Sequence, residues 1–344
     1  MTIHPISPVA VTANAVGDLL ASVANVFGYT PTESLVVIGL TRDNRLSTHV
    51  RVDLHKALPI AHDFGAEIGR MMSLEHAQCI ALALTEEAPA PGAYSDTLAH
   101  QGSAFCAGLE SAGITVKNAW HIGNNYSRPM LDSDPASAPY PGELIDPTTP
   151  TAQALKPHKA TSPQEIVESY QAPHTAPTPP QGSTITGLQL WDEIAADTID
   201  TANLTALETG HLVAALAAHP MAIIATVAAD LLEGISALGS DDDRELPRTV
   251  QAIGDAPDWN RIDRLAAMLK TLTPYTVQRA SSNVHAIMSW INYAKGRGTL
   301  ALAFAEQAQH DSPGNHLARS IHQLAINGTV SPWAVYSWTA YKGN

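Results

Sequence analysis

The residues best suited to chemistry in this sequence are Arg51 and Asp53, which stand two positions apart within residues 49–54. The alternation of polar and apolar residues there predicts a strand, so these two side chains share one face. An arginine can hold an anion through two parallel hydrogen bonds, and a nearby aspartate can act as a base or a hydrogen-bond acceptor. The same charges could instead brace the bend at Glu33 and Ser34 against the sheet. We favour this structural interpretation, because the solvent-facing side of a strand normally carries such charges.

Polar side chains also follow two later predicted strands, at residues 79–84 and 115–122. In α/β sheets, ligands usually bind beyond the carboxyl ends of the strands, where the strand order switches. The predicted hairpin in front of these strands creates such a switch. If the sheet has a pocket there, the candidate lining residues are Tyr29, Arg51, Asp53, Glu86, Asn124 and Tyr126. Ordinary solvated strand ends explain the same residues, and we favour that explanation.

Motifs for the common chemistries are missing from the sequence. The chain has no glycine-rich dinucleotide or phosphate loop, no Gly-x-Ser-x-Gly turn and no His-Glu-x-x-His zinc motif. Glu208 and His211 have the spacing of metal ligands on one helix, but a di-iron site needs a second such pair, which the sequence lacks. Ser34 has no histidine and acid at a known spacing, so its hydroxyl is expected to cap a bend. We therefore expect no metal and no cofactor, and we assign no catalytic residue.

The composition restricts the class of protein. With 344 residues, of which 45% are apolar and 15% charged, the chain can form two globular domains with separate cores. Its formal net charge of −14 argues against nucleic-acid binding, because affinity for the phosphate backbone needs clustered Lys and Arg. Cys79 and Cys106 are too few for a disulfide framework, and the N-terminus lacks a basic signal-peptide region. These features predict a cytoplasmic protein.

One stretch, residues 212–229, is apolar enough to be mistaken for a membrane span. It is rich in alanine, is interrupted by His219 and Pro220, and is followed by Asp230. Polar groups are costly inside a bilayer. We therefore predict two buried helices that meet at Pro220, and no membrane as a partner.

Residues 1–128 alternate helical and strand patterns and are predicted to form an α/β domain. The strands at residues 35–40 and 49–54 are joined by a short polar link, which predicts an antiparallel hairpin. Helices separate the later strands, which is typical of parallel pairing, so we predict a mixed sheet in which the first hairpin breaks an otherwise parallel pattern. The predicted helices cover residues 16–26, 61–72 and 94–112.

The composition changes sharply in the proline-rich connection at residues 129–182. Residues 129–180 hold 12 of the 24 prolines, and such a stretch cannot form regular hydrogen-bonded ladders. Within it, the order Ser-Pro-Gln-Glu at residues 162–165 has the pattern of a capping box with proline at the first helical position. We predict a short helix there, reaching about Tyr170 and packing onto one of the domains.

Residues 183–344 show helical periodicity and are predicted to form an all-α domain. The predicted helices cover residues 188–199, 204–218, 221–238, 247–253, 259–272, 276–293, 300–309, 316–326 and 333–341. Counting from Ser282, the positions of Gly296, Ala301, Ala308 and Pro313 have the spacing of one tetratricopeptide-like helical hairpin. A single hairpin of this type does not make an independent solenoid.

Aromatic residues are concentrated at the end of the chain. Trp333, Tyr336, Trp338 and Tyr341 are candidate interaction residues, because large aromatic side chains dominate many protein interfaces. They could equally cap the last helix against its own domain, and we favour that interpretation.

These pieces together resemble the DUF4192 family, proteins of unknown function found mainly in actinobacteria. At the N-terminal end the resemblance rests on Gly28, Pro31, Ser34 and residues 35–40 and 51–54. At the C-terminal end it rests on Trp290, Gly296, Gly298, Ala301, Ala308, Asp311, Pro313, Leu317, Ala318, Gly328, Pro332 and Trp333. The family implies no activity, so the resemblance bears on the fold more than on the function.

The chain departs from the family pattern in two places. After Tyr126 many members have a cysteine-containing segment, whereas residues 134–142 of this chain contain no cysteine. Any metal or disulfide role that those cysteines imply is therefore absent. In the middle helices, relatives often have Arg-Asp where this chain has Pro-Met-Ala at residues 220–222.

Two functions are compatible with these features. The leading hypothesis is a non-enzymatic cytoplasmic protein-interaction or scaffold module, which binds a protein partner or associates with itself. It is motivated by the helical hairpins, by the missing catalytic motifs and by the excess of acidic over basic residues. The alternative is a small-molecule-binding protein or hydrolase-like enzyme with a pocket at the strand ends of the α/β domain.

Overall fold

The computed structural model describes residues 2–4, 16–86, 93–123, 126–130, 143–146, 162–171, 181–227, 250–277, 279–336 and 339–341. The chain divides into two compact units. The first unit contains the described residues up to Ser162, and the second contains those from Pro163 to Tyr341. The N-terminal mixed sheet and the helical C-terminal region predicted from the sequence are both confirmed.

The first unit is built on a seven-stranded sheet within the described residues, in the order β1-β3-β2-β4-β5-β6-β7. The strands are β1 (Thr2–His4), β2 (Ser34–Leu40), β3 (Leu46–Asp53), β4 (Gln78–Thr85), β5 (Thr115–Gly123), β6 (Tyr126–Pro129) and β7 (Glu143–Leu144). The predicted antiparallel hairpin is β2 with β3. Strands β1, β6 and β7 were not predicted, because they are short and their sequences show little alternation.

The prediction of an otherwise parallel sheet is wrong. Of the neighbouring pairs in the described sheet, β4 with β5 is parallel, and the other pairs are antiparallel. One reason is that β2 lies between β3 and β4 and runs opposite to both. The other is that two residues separate β5 from β6, and a connection this short permits only antiparallel pairing.

Four helices accompany the sheet in the described part of the first unit. They are α1 (Val16–Phe27), α2 (Leu54–Ala57), α3 (Ala61–Met72) and α4 (Ala93–Ser111). Helix α1 buries Leu19, Val23 and Phe27, and it ends at Gly28, whose φ of 81° favours glycine. The predicted helix at residues 16–26 is therefore confirmed.

The core of the first unit includes both cysteines. Every residue of β2 is buried, and Cys79 of β4 and Cys106 of α4 are buried free thiols. Burial raises the pKa of each thiol to about 12. Both side chains are therefore protonated at neutral pH and pack as small apolar groups.

The regular structure of the second unit consists of helices within its described residues. Its helices are α5 (Pro163–Glu168), α6 (Thr184–Ala195), α7 (Ala206–Ala218), α8 (Pro220–Val227), α9 (Trp259–Leu272), α10 (Arg279–Ala294), α11 (Gly298–Asp311), α12 (His316–Ile326) and α13 (Pro332–Val335). Helix α7 begins with a complete capping box between Thr205 and Glu208, and His211 Nδ1 accepts a hydrogen bond from the Ser183 amide at 2.7 Å.

Some helix boundaries differ from the prediction. Helix α6 begins at Thr184 because Ser183 caps it by accepting a hydrogen bond from the Thr186 amide. Residues 250–253 of the predicted helix at 247–253 are not helical, and the rest of that helix lies outside the described residues. The last helix ends at Val335 and does not reach residue 341.

Helices α10 and α11 form the predicted tetratricopeptide-like hairpin. Gly296, with a φ of 78°, lies in the turn between them. Ser289 Oγ donates to the Ala301 carbonyl at 2.9 Å, and Ser282 Oγ donates to the Ala308 carbonyl at 2.8 Å. Since both alanines are fully buried, their small side chains permit the close approach that these hydrogen bonds need.

No single helix among the described residues is both long enough and apolar enough to cross a membrane. Helices α7 and α8 reach the length and apolar character of a membrane span only when they are taken together, and they are bent by 110° at the break between them. The predicted pair of helices meeting at Pro220 is therefore confirmed for the residues up to Val227.

We predict that Gly65→Ala destabilises the first unit by about 1–3 kcal/mol, because a Cβ at Gly65 would lie 2.2 Å from the Phe105 carbonyl oxygen of α4. This overpacking outweighs the gain of about 1 kcal/mol in helix propensity. Urea denaturation measures the change. Glu67→Ala on the exposed face of α3 is the control and should change stability by less than about 0.5 kcal/mol. An unchanged midpoint for Gly65→Ala would contradict the close packing of α3 on α4.

Candidate functional site

The predicted strand ends meet at one edge of the sheet, by which we mean the end where β2 begins and where β3, β4 and β5 finish. Ser34, the first residue of β2, lies opposite Asp53 on one side and opposite Leu84 on the other. Strands β4 and β5 are parallel and end side by side. Tyr126, at the start of β6, lies opposite Gly123 at the end of β5. The sheet register therefore brings the neighbourhoods of most of the predicted pocket residues to the same edge.

The bend before β2 is tied to two neighbouring strands at this edge. Glu33 has a φ of 43°, which is uncommon for a residue other than glycine. Its carbonyl accepts a hydrogen bond from the Leu54 amide at 2.8 Å, and its Oε1 accepts one from the Glu86 amide at 3.0 Å. Ser34 Oγ donates to the Thr32 carbonyl at 2.6 Å. The bend thus holds the ends of β3 and β4 together.

Arg51 contacts this bend directly. Its Nε donates to Ser34 Oγ at 2.9 Å, and its guanidinium pairs with Asp53 Oδ1 at 2.8 Å. The Arg51 side chain is 12% exposed and the Asp53 side chain 27%. This is the bracing contact that the structural interpretation of the pair expects. The same contacts engage the Arg51 guanidinium and the Asp53 carboxylate, which are the groups that an anion or a substrate would need.

The protonation of Asp53 also suits a structural role. Burial by itself would raise the pKa of Asp53, but the charge of Arg51, the hydrogen bond from Lys56 and the charge of Lys56 lower it, and the net pKa is below the ordinary 3.8. Lys56 Nζ lies 3.0 Å from Asp53 Oδ2. A carboxylate with a lowered pKa is a weak base, so Asp53 is suited to holding cations in place.

The other predicted pocket residues differ in exposure. Tyr29 is 3% exposed and its ring lies 6.4 Å from the ring of Phe27, so it belongs to the core. Glu86 is exposed and Tyr126 is partly buried. Asn124 lies outside the described residues. Of the described candidates, Tyr29 is therefore a core residue, Arg51 and Asp53 form a brace, and Glu86 and Tyr126 lie at strand ends.

A cavity of about 470 Å³ lies at the opposite edge, where β2 ends and β4 begins. Its lining includes Arg42, Glu75 and His76, and none of the five described candidates. His76 is buried, with Nε2 2.8 Å from Thr48 Oγ1, and burial lowers the pKa of His76. Its imidazole also packs against Gly39, where a Cβ would lie 2.6 Å from the ring.

Two further histidines are buried in the sheet. His49 Nδ1 lies 2.7 Å from the Ser47 carbonyl, and His121 Nε2 lies 3.1 Å from Thr85 Oγ1. Burial lowers the pKa of each imidazole to about 4, so both are neutral at physiological pH. Within the residues that the structure describes, no group of three or more His, Cys, Asp or Glu could hold a metal ion.

His285 and Asp311 in the second unit have part of the geometry of a catalytic dyad. His285 Nδ1 lies 2.9 Å from Asp311 Oδ2, and burial lowers the pKa of His285 although Asp311 opposes this effect. The Ser281 hydroxyl donates to the same carboxylate at 3.3 Å. A nucleophilic serine would instead bond to the imidazole, so this arrangement joins α10 to α11 and does not activate Ser281.

The aromatic residues at the chain end are mostly packed inward. Trp333 is 1% exposed, and its Nε1 donates to the Gly254 carbonyl at 3.0 Å. Tyr341 donates to Asp263 Oδ2 at 3.0 Å. Tyr336 is 40% exposed, and Trp338 lies outside the described residues. Trp333 and Tyr341 therefore hold the chain end against the second unit, in the way that the capping interpretation expects.

Lys295 completes a polar cluster around Tyr341 that sequence reasoning missed. It forms an ion pair with Asp263, and its Nζ lies 3.9 Å from the centre of the Tyr341 ring. Burial and the charge of Arg297 lower the pKa of Lys295 to about 8, although Asp263 opposes them. These residues come from separate parts of the chain, so no local motif could have predicted the cluster.

Helix α5 packs against the other helices of the second unit. Ile166 and Tyr170 are partly buried and Val167 is fully buried, whereas Glu165 and Glu168 are exposed. The short helix predicted from the capping-box pattern is therefore present, although it ends at Glu168, and of the two domains it packs on the helical one. Ile166 and Val167 lie within the helix, whereas Tyr170 lies in the turn that follows it, two residues after Glu168.

The receiving surface, which we call the α5 groove, is formed by Lys270 of α9, His285 of α10 and Phe304 of α11. The Tyr170 ring meets the Phe304 ring edge to face, with centres 5.3 Å apart. Lys270 Nζ lies 4.2 Å from the centre of the Tyr170 ring and donates to the Ser169 carbonyl. The His285 ring lies 6.2 Å from the Phe304 ring. The groove thus holds α5 through apolar, aromatic and cation–π contacts.

We predict that Arg51→Met raises the pKa of Asp53, because burial then acts on the carboxylate without its main positive partner. A lowered pKa means that the ionised carboxylate stabilises the fold above about pH 3.8 and that this contribution is lost as the pH falls below that value. In Arg51→Met this acid-dependent loss should shift to higher pH. Carbon-13 NMR titration of the Asp53 carboxyl group measures the pKa. Lys56→Met should give a smaller rise, since Lys56 is 66% exposed. An unchanged Asp53 pKa in Arg51→Met would contradict the brace.

Comparison with known proteins identifies a family for this chain but assigns it no activity. A family model described as a domain of unknown function, DUF4192, matches residues 17–332. No curated protein and no solved structure matches the chain. Because the matched region spans nearly the whole sequence, the chain belongs to the DUF4192 family.

Proposed function

We propose that this chain is a non-enzymatic protein-interaction module whose helical unit receives a short amphipathic helix. The observation that carries the proposal is the docking of α5. A helix of six residues packs there with one fully buried anchor, Val167, and an aromatic anchor, Tyr170, follows two residues after the helix ends. Insertion of an apolar helix face into a groove is a common mode of peptide recognition.

The contacts of α5 have the character of a protein interface. A central aliphatic side chain is excluded from water, an aromatic ring packs beside it, and a lysine contacts both the ring and a main-chain carbonyl. Interfaces are typically held by a few such anchors, surrounded by polar residues that stay exposed. Gln164, Glu165 and Glu168 form that exposed surround on α5.

The strand-end edge of the first unit offers less support for the alternative, a small-molecule-binding protein or enzyme. Arg51 and Ser34 are bonded to each other, and the lowered pKa of Asp53 makes it a weak base. The described cavity of about 470 Å³ lies at the other edge of the sheet. The buried protonated thiols of Cys79 and Cys106 are compatible with a reducing compartment, and we propose the cytoplasm.

The test uses a full-length chain whose groove has been emptied by Val167→Asp and Tyr170→Ala, which we call the released variant. A fluorescent peptide of residues 162–171 is titrated with the released variant, and binding is followed by anisotropy. We expect saturable binding. A peptide that carries the same two substitutions should bind about tenfold more weakly or worse, because both anchors are lost.

A Glu168→Ala peptide is the matched control and should bind like the native peptide, because Glu168 is exposed. Circular dichroism establishes that the released variant keeps its helical content. If it does not, the single substitution Tyr170→Ala replaces it. Equal binding of the native and the doubly substituted peptides would show that the groove does not receive a helix through these anchors.

A further inference from the structure

We infer that the cavity of about 470 Å³, where β2 ends and β4 begins, is a binding site for a small zwitterion of the amino-acid class. The ligand's carboxylate binds Arg42 and its ammonium group binds Glu75. The volume of the cavity lies in the range of small-molecule sites, which is roughly 300–1,000 Å³. All of its lining residues belong to the first unit, so this inference is independent of the function proposed for the helical unit.

The positive charge of the cavity comes from the link between β2 and β3. Arg42 lies in that link, lines the cavity and is exposed. It forms no ion pair with any residue that the structure describes, in contrast to Arg51 on β3. A guanidinium group can bind a carboxylate through two parallel hydrogen bonds. Arg42 therefore has the chemistry to hold the carboxylate of a ligand.

The negative charge of the cavity comes from the link between α3 and β4 and from two helix ends. Glu75 lies in that link and lines the cavity. Ser73 at the C-terminal cap of α3 and Gly113, two residues beyond the end of α4, line it as well. The C-terminal end of a helix carries a partial negative charge, which favours a nearby cation. Glu75 and the two helix ends together favour an ammonium group.

The balance of charge selects a ligand without net charge. Arg42 and Glu75 carry opposite formal charges, and the other titratable residue of the lining is His76. Burial lowers the pKa of His76 below its ordinary 6.5, although the charge of Glu75 and the Leu40 carbonyl oppose this effect. The imidazole is therefore neutral at physiological pH. A simple anion would meet Glu75 and a simple cation would meet Arg42, whereas a zwitterion satisfies both.

The cavity also has an apolar part, which determines the side chain of the ligand. Leu40 is buried, whereas Leu74 is 65% exposed, and both line the cavity. An aliphatic ligand side chain that packs on them removes apolar surface from water, both its own and that of Leu74. We therefore choose L-leucine as the probe.

The first experiment is isothermal titration calorimetry of the full chain with L-leucine and two analogues. Isocaproate lacks the ammonium group of leucine, and isoamylamine lacks its carboxylate. We expect saturable binding of leucine, and binding of each analogue that is weaker by about tenfold or more, because each loses one charge-assisted contact. No saturable binding of leucine at millimolar concentrations would overturn the inference. An analogue that binds as tightly as leucine would also overturn it, because the site would then recognise a single charge.

The second experiment places the ligand in the cavity by substitution. Arg42→Met should weaken leucine binding about tenfold and abolish the preference for leucine over isoamylamine. Glu75→Gln should instead abolish the preference over isocaproate. Arg45→Met and Glu67→Gln are the matched controls, because both side chains are exposed and lie outside the lining.

Both controls should bind leucine like the native chain, and circular dichroism establishes that each variant is folded. Leucine binding that is unchanged in Arg42→Met and in Glu75→Gln would overturn the assignment to this cavity. An equal loss of binding in the controls would overturn it too, because the effect would then come from the general charge of the surface.

Discussion

Arg51 connects the first residue of β2 with the last residue of β3, because its side chain bonds to Ser34 and pairs with Asp53. Strand β2 is buried along its whole length, so a slip of one residue in its pairing would turn buried side chains to the other face of the sheet. A buried guanidinium tolerates such a slip poorly, since it would lose its carboxylate partner. Arg51 therefore helps to hold the register of the hairpin, together with the packing of the buried strand.

The second unit uses buried polar contacts for the same purpose. Asn315 donates to both Ser282 and Asn283, and Asn283 donates to the Leu216 carbonyl, so a connected network joins α10 to α12 and α7. Fully bonded networks of this kind specify one arrangement of helices, because any other arrangement leaves buried polar groups without partners. Helix α5 instead joins the unit through apolar packing, because Val167 is fully buried in the core and the Tyr170 ring meets Phe304.

Much of the fold could be predicted from local pattern, because the β2–β3 hairpin, α3 and the α10–α11 hairpin have clear periodicity and end at glycine or polar turns. The strand order could not, because the insertion of β2 between β3 and β4 is decided by packing and not by any residue in the link. At the candidate site, the pairing of Arg51 and Asp53 followed from their spacing, whereas the part played by Glu33 depends on a backbone conformation that the sequence does not mark. Lys270 lies 101 residues from Ser169, so its contact had no local signal at all.

The proline-rich connection acquires a second role from these contacts. Residues 129–180 hold 12 of the 24 prolines, and proline removes a backbone donor and disfavours long regular elements. The capping-box pattern at residues 162–165 nevertheless predicts a short helix, and α5 carries Ile166 and Val167 side by side toward the core. A segment that is too short to fold alone and too amphipathic to stay in water requires a surface to fold against. The α5 groove provides that surface, and this packing is the observation from which the proposed interaction function is argued.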